Sequence, residues 1–457
     1  MKKKLFRRAA EAPAELLEKT IEITEDIGHK LETKTSRVFE KPKKYWNTLG
    51  PGLTTGAADD DPSGIATYSQ TGAQYGFGLL WLAAFTFPLM AVIQEMCARI
   101  GLVTGRGLAT NIRMHFPRKV LYISTLLLFA ANTFNIGADL GVMASTLQLL
   151  SPGINFIFLI VGITIALLCL QIFMPYNQYA KYLKWLSLVL FAYVASALLA
   201  NLDWGNVLKH AIVPSLAFNK DQLLLICAIL GTTISPYLFF WQTSQEVENE
   251  ISQGLTTIFQ RKGTNKEEIK NMRTDIWSGM FFSNLVMFFI IAACGAILFP
   301  HGITDIDSAT TAAKALRPFA GDWAYFLFTI GILGTGMLAI PVLAGSSSYA
   351  IAESFKWHEG LNKKLKSAYA FYGIIIISMV IGVCINFIGL NPIKVLIYSA
   401  VANGVVAPLV LLPIVIISSN KKVMGEWVNK PLTTVVGWIV VVIMALAGTA
   451  AIISLFS

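Results

Sequence analysis

The sequence predicts an all-α polytopic membrane protein of about eleven transmembrane helices, two of them broken near mid-membrane. Three observations carry that prediction. The 457 residues are 55% hydrophobic and only 14% charged, a balance that excludes a soluble domain with one anchor. From Leu53 onward, about eleven apolar segments reach membrane length. The first and sixth of these are each interrupted by a proline within a polar stretch, the pattern of paired discontinuous helices in two related halves.

Taken in order, residues 1 to about 45 are polar and begin Lys2-Lys3-Lys4-Leu5-Phe6-Arg7-Arg8. They read as a cytoplasmic tail, with a partly amphipathic stretch around Leu16 to Glu25 that could dock on a lipid surface. Residues 46–457 form the transmembrane domain. Spans are expected at about 53–73, 77–102, 119–149, 153–174, 180–200, 222–246, 275–299, 322–352, 367–388, 392–418 and 432–456. The two breaks stand five spans apart and therefore have opposite topology. The grouping is a first repeat at about 50–200, an inverted second repeat at about 222–418, and an extra helix at about 432–456.

Every second loop is basic: Arg106 to Lys119, Lys181 to Lys184, Arg261 to Arg273, Lys356 to Lys366 and Lys421 to Lys430. This places the N-terminus in the cytoplasm and the C-terminus outside. The net charge of +9 therefore reports topology, and no nucleic-acid partner is expected. No cleavable leader is visible in residues 1–45, which fits a multi-pass protein of a prokaryotic inner membrane. The five cysteines all fall in apolar spans without paired spacing and read as small core residues. No cofactor and no obligatory protein partner is implied.

The first break carries the chemistry: Gly50-Pro51-Gly52-Leu53-Thr54-Thr55-Gly56-Ala57-Ala58-Asp59-Asp60-Asp61-Pro62-Ser63-Gly64. Charge at bilayer depth is costly and marks function. Pro62 has no amide hydrogen and Gly64 weakens the helix, so unwinding is expected after Asp61. A carboxylate beside free carbonyls in a lined cavity is a cation site. Asp61 is the expected ligand, direct or through water, with Ser63 and Gly64 offering hydroxyl or backbone oxygen. Asp59 and Asp60 lie about 100° apart per residue, so the three aspartates cannot share one site. One is expected on the path, the other as a cap or pair.

The second break is Gly231-Thr232-Thr233-Ile234-Ser235-Pro236-Tyr237. Thr232 and Ser235 share a face before it, either toward a substrate or bonded back to the preceding turn. Asn403 and Gly404 are expected to interrupt span ten, Asn403 as a substrate contact or as helix–helix glue. Asp139, with Asn132 and Asn135 on neighbouring turns, either lines the vestibule or bonds structurally. Glu95 and Arg99 read as a structural or gating pair, and Gln245, Glu246 and Glu248 as a solvated helix end.

At these breaks the chain resembles the NRAMP family of divalent-metal transporters. The likeness covers residues 50 to about 456. It rests on Gly50-Pro51-Gly52, Asp61-Pro62-Ser63-Gly64, Gly72-Ala73-Gln74-Tyr75-Gly76, Leu80-Trp81 and Ala98-Arg99-Ile100-Gly101-Leu102-Val103-Thr104-Gly105, with Ser419 to Gly425 more distantly similar. The resemblance implies the leucine-transporter-type fold, a five-plus-five inverted repeat and alternating access, with a divalent ion as substrate.

The departures bear on which ion. The family has Asp-Pro-Gly-Asn in helix one; Gly64 stands at the asparagine position. In helix six the family pattern Ala-x-x-Met-Pro-His becomes Thr232, Ser235 and Tyr237 at its alanine, methionine and histidine, and a later family histidine aligns with Gln242. In span three Asp139 retains a family carboxylate, but the following glutamate is Val142, and the family's basic run in span nine is missing. A thioether favours soft metals, and its loss to a hydroxyl favours hard ions. The pattern resembles the NRAMP-related magnesium transporters, implying Mg²⁺ and Mn²⁺ as transported substrates. All five histidines lie in the tail or loops, so facilitated movement without an obligatory proton is expected.

Three other readings compete. One is an ordinary proton-coupled Mn²⁺/Fe²⁺ transporter. A sodium-coupled organic-solute symporter is opposed by Asp61, which favours a cationic substrate. An intramembrane hydrolase lacks a membrane-embedded histidine to act as general base.

Overall fold

A computed structural model describes residues 49–174, 191–199, 202–217, 219–317 and 321–456. The expectations for residues 1–45, for most of the fifth span and for the loop at 181–184 lie outside them. Pro51–Ser457 is one compact unit.

The helices run α1a (Pro51–Asp59), α1b (Pro62–Tyr75), α2 (Trp81–Thr104), α3 (Arg118–Leu150), α4 (Phe156–Phe173), α5 (Phe191–Leu199), α6a (Lys220–Thr233), α6b (Pro236–Ser252), α7 (Lys266–Ile297), α8 (Ala324–Phe355), α9 (Tyr369–Ile385), α10 (Pro392–Ser418) and α11 (Pro431–Phe456). Among the described residues eight apolar helical spans are long enough to cross a bilayer unaided; α1 is split, α5 is described over nine residues, and α9 is a shorter apolar helix. Short helices at Leu108–His115 and Trp204–Ile212 lie between spans. Together they make the expected eleven-helix order.

Both breaks fall where proline starts a new helix. Asp61 is extended (φ −68°, ψ 170°) and caps α1b, with Pro62 at the first helical position. Proline is pre-organised there because its missing amide hydrogen would be unsatisfied anyway. The break therefore precedes Asp61 instead of following it: α1a ends at Asp59, and Gly64 lies inside α1b. In span six, Ser235 is extended and Pro236 opens α6b.

Three further expectations are corrected. Span ten is not interrupted at Asn403-Gly404; α10 is continuous, and Gly404 instead lets its backbone approach Cys227 and Gly231 of α6a. Gln245, Glu246 and Glu248 are not a solvated end, because α6b continues to Ser252 with all three buried. Span seven starts earlier than about 275. Asn265 accepts from the Glu267 and Glu268 amides at 3.0 and 2.9 Å, and Glu268 accepts back from the Asn265 amide at 3.2 Å. This capping box adds a polar turn before the apolar run.

The two halves interlock reciprocally. α1 lies along α7, and α6b lies along α2, the exchange of second helices that an inverted repeat predicts. The α1–α7 seam is backbone on backbone. A Cβ on Gly56 would stand 2.3 Å from the Gly279 carbonyl oxygen, and one on Gly279 would stand 2.3 Å from that of Gly52. The spacing Gly52-x-x-x-Gly56 is the small-residue pattern that permits such approach. Asp275 of α7 then caps α1a, accepting from the Gly52 and Leu53 amides at 2.6 and 2.9 Å. Opposite, Gly101 of α2 abuts the Thr243 carbonyl of α6b, and the Thr243 hydroxyl donates to the Cys97 carbonyl at 3.1 Å.

Candidate metal site

The two breaks meet. A Cβ added to Gly64 would come within 3.2 Å of Thr232 Oγ1 and 3.3 Å of the Asp59 carbonyl oxygen, so the absent side chain is what leaves room between α1b and α6a. The Tyr237 hydroxyl donates to the Ala58 carbonyl at 3.1 Å, strutting α6b against the end of α1a.

Asp61 sits at this junction, 1% exposed. One carboxylate oxygen accepts from the Gly64 amide at 2.6 Å, and the other accepts from Asn135 Nδ2 of α3 at 2.8 Å. Asn135 Oδ1 in turn accepts from the Ser399 hydroxyl of α10 at 2.6 Å. Helices one, three and ten are thus tied through a single carboxylate, with neutral donors fixing it in place. A carboxylate held by neutral donors keeps its negative charge available to a cation.

The other predicted residues divide. Ser235 donates back to the Gly231 and Thr232 carbonyls, both at 2.7 Å, the local alternative in the sequence reading, which still leaves its oxygen lone pairs open. Thr232 faces Gly64. Asn403 is buried, its Oδ1 without a hydrogen-bond partner among the described residues, as is the Ser63 hydroxyl. The Gly64 amide donates to Asp61, and its missing side chain leaves space at the junction. Asp59 and Asp60 turn away to α7, where the Ser283 hydroxyl donates to Asp59 at 2.6 Å and stands 3.5 Å from Asp60. Asp139 is fully buried with neither oxygen hydrogen-bonded among the described residues, and Asp61 is its charged neighbour. Asn132 is structural, donating to the Leu343 carbonyl and to Ser346 and Ser347 of α8 at 2.9–3.0 Å. Among the described residues, no three Asp, Glu, His or Cys side chains converge as a metal cluster. Asp61 is the carboxylate at the junction, and its hydrogen bonds come from two neutral nitrogen donors.

Sequence reading missed Ser283, Ser399 and Tyr68. Ser399 precedes Asn403 by one helical turn and is the α10 side chain that reaches Asn135. Ser283, beside Asn284 in an otherwise apolar span, was the available hint on α7. Glu95 does pair with Arg99 at 3.8 Å, but its tighter partners are Arg273 at 2.8 Å and the Trp277 indole at 3.0 Å. Arg99 bonds Asn429, joining α2 to the segment before α11.

Eleven spans with two broken helices meeting at a buried carboxylate define a membrane transporter of the leucine-transporter type. The family described as "Natural resistance-associated macrophage protein-like" matches residues 52–454, and the chain belongs to it. A relative from Caldanaerobacter subterraneus subsp. tengcongensis named divalent metal cation transporter MntH is 28% identical over 404 residues, covering 87% of this chain and 90% of that protein. A Klebsiella pneumoniae protein of the same name is 25% identical over 428 residues, 91% of this chain and 95% of its own. Among solved structures, the Eremococcus coleocola manganese transporter superposes with a TM-score of 0.69 at 18% identity, covering 89% of this chain and 86% of that one. Mhp1, a nucleobase-cation-symport-1 family transporter, gives 0.56 at 17% identity, covering 89% and 91%. At such identities the structures speak for the fold alone.

Proposed function

We propose that this protein carries Mg²⁺, and Mn²⁺ as well, across the membrane by alternating access, without an obligatory proton. The observation that carries the reading is the donor set at the junction. Asp61 is a carboxylate fixed by Gly64 and Asn135, and Thr232 and Ser235 of the facing break, with Asn403 of α10, bring oxygen and no sulfur. Hard ions prefer oxygen, while a thioether would have favoured transition metals. Mg²⁺ gives up its waters reluctantly, and the space left by Gly64 lets Asp61 take the ion directly or through a retained water. Ser63 and Asp139 line the way past it. The names of the MntH relatives support a divalent metal as the substrate class.

The basic loops place the N-terminus in the cytoplasm and the C-terminus outside, in a prokaryotic inner membrane. The inside-negative potential then drives entry by about 2.3 kcal/mol per charge per 100 mV. A divalent ion gains roughly twice that, enough to accumulate without a coupled proton. Among the described residues no histidine stands inside a membrane helix to relay one, since His115, His210, His301 and His358 all lie at helix ends or in connections.

Uptake into proteoliposomes of Mg²⁺, Mn²⁺ and Ca²⁺, with the internal pH followed, tests this. The expected result is saturable Mg²⁺ entry without acidification, falling to background in Asp61→Ala. Mn²⁺ entry with metal-dependent acidification and no Mg²⁺ transport would instead establish the proton-coupled Mn²⁺/Fe²⁺ type.

A further inference from the structure

We propose that the α1a side of the break is a second station for a hard cation, built from Asp59, Asp60 and Ser283 and separate from Asp61. The inference rests on the metal-transport reading above and adds a second stop on the path. The three consecutive aspartates are sorted to opposite sides: Asp61 faces Asn135 of α3, while Asp59 and Asp60 share the one Ser283 hydroxyl of α7. A single hydroxyl hydrogen cannot satisfy two carboxylates, and Asp59 Oδ1 has no partner among the described residues. Asp59 is 0% and Asp60 3% exposed, and no described lysine or arginine pairs with either.

Two features beyond the carboxylates point to a cation. Asp59 is the last residue of α1a, so the carbonyl end of that half-helix and its partial negative charge converge here. From α1b, the fully buried Tyr68 hydroxyl lacks a hydrogen-bond partner among the described residues and has Asp59 as its foremost charged neighbour, with Asp60 and Asp61 behind and the Thr232 side chain beside it. The Tyr68 ring also lies against Gly64. The donor set is carboxylate, hydroxyl and carbonyl oxygen without nitrogen or sulfur, which suits Mg²⁺ or Na⁺ over a soft metal.

Binding of Mg²⁺ and, in parallel, of ²²Na⁺ to the full-length protein in lipid nanodiscs tests the station. Wild type is expected to bind two hard cations per chain. The double variant Asp59→Asn/Asp60→Asn should lose one and retain the Asp61 class, which also reports that it has folded. Asp61→Asn should lose the other, and Ser283→Ala should weaken the second class about tenfold. Mg²⁺ in the second class makes it a stop for the transported ion, and Na⁺ there makes it a co-ion site; both support the station. One cation per chain in wild type, unchanged in the double variant, overturns it. If the double variant does not fold, an unaltered second class in Ser283→Ala overturns it equally. Mg²⁺ uptake with single-site binding would sink the station and leave the transport reading intact, whereas two-site binding without uptake would do the reverse.

Discussion

Position 64 shows most directly how one residue sets ion choice. It has no side chain where a hydroxyl from the other broken helix approaches, and an added Cβ would sit 3.2 Å from Thr232 Oγ1 and 3.3 Å from the Tyr68 ring. Those contacts are tight but not impossible, so Gly64→Asn should fold and shrink the junction while adding an amide ligand. The expected outcome is a several-fold loss of Mg²⁺ uptake with Mn²⁺ uptake better preserved, because the smaller space strips waters that Mg²⁺ holds more firmly. Competition between the two ions in proteoliposomes measures it; an unchanged Mg²⁺/Mn²⁺ ratio would mean Gly64 does not size the site. Asp61 was legible from sequence because a buried charge beside a proline has few structural uses. Ser399 and Ser283 were not, since a serine in a membrane helix most often bonds its own preceding turn and only tertiary packing shows which one does more.

At the scale of the element, the α1–α7 seam is the most constrained contact, because both partners are backbone. Gly279→Ala would put a methyl 2.3 Å from the Gly52 carbonyl oxygen, where no side chain can yield. Overpacking of this kind costs about 1–3 kcal/mol, and displacing α1a would also pull Gly52 and Leu53 from Asp275. We expect a lowered apparent Tm and lost uptake. The matched control is Gly162→Ala on α4, where nothing lies within 4 Å, and it should be neutral or slightly stabilising. Equal Tm values for the two variants would contradict this account of the seam. Prolines located both breaks in the sequence to within two residues, because proline constrains φ and hydrogen bonding locally. By contrast, α6b extends beyond its apolar run, and α7 begins before its own. There the sequence signal is polar, and burial of Glu246 and Glu248 comes from neighbouring helices that no local pattern reveals.

For the whole molecule, the inverted repeat could be read from one chain because spacing of breaks and alternation of loop charge are global properties. What could not be read is how the basic loops fold together. At that end of the bundle they form an open pocket of about 500 Å³, lined by Glu248, Glu353, Glu359, Arg113 and Lys363 among others. Glu353 accepts from the Thr110 amide at 2.7 Å, and Glu248 accepts from the Tyr349 hydroxyl and Asn362 at 2.9 and 2.7 Å. Glu359, beyond the end of α8, has an oxygen with no such partner among the described residues. Burial, with Glu353 and Glu248 adding repulsion against Lys363 and Arg113, lifts its pKa from 4.5 to about 9. Between those values the folded protein holds a proton that the unfolded chain releases, so stability falls as pH rises through that window. Below about 4.5 both states are protonated and the penalty vanishes; above about 9 it is complete. Glu359→Gln keeps the shape without the ionisation. Its apparent Tm, measured in detergent from pH 5 to pH 9, should therefore exceed that of wild type by a margin that grows with pH. A margin that stays constant would show that Glu359 ionises in the folded protein as readily as in the unfolded one, and that the pocket wall does not resist its charge.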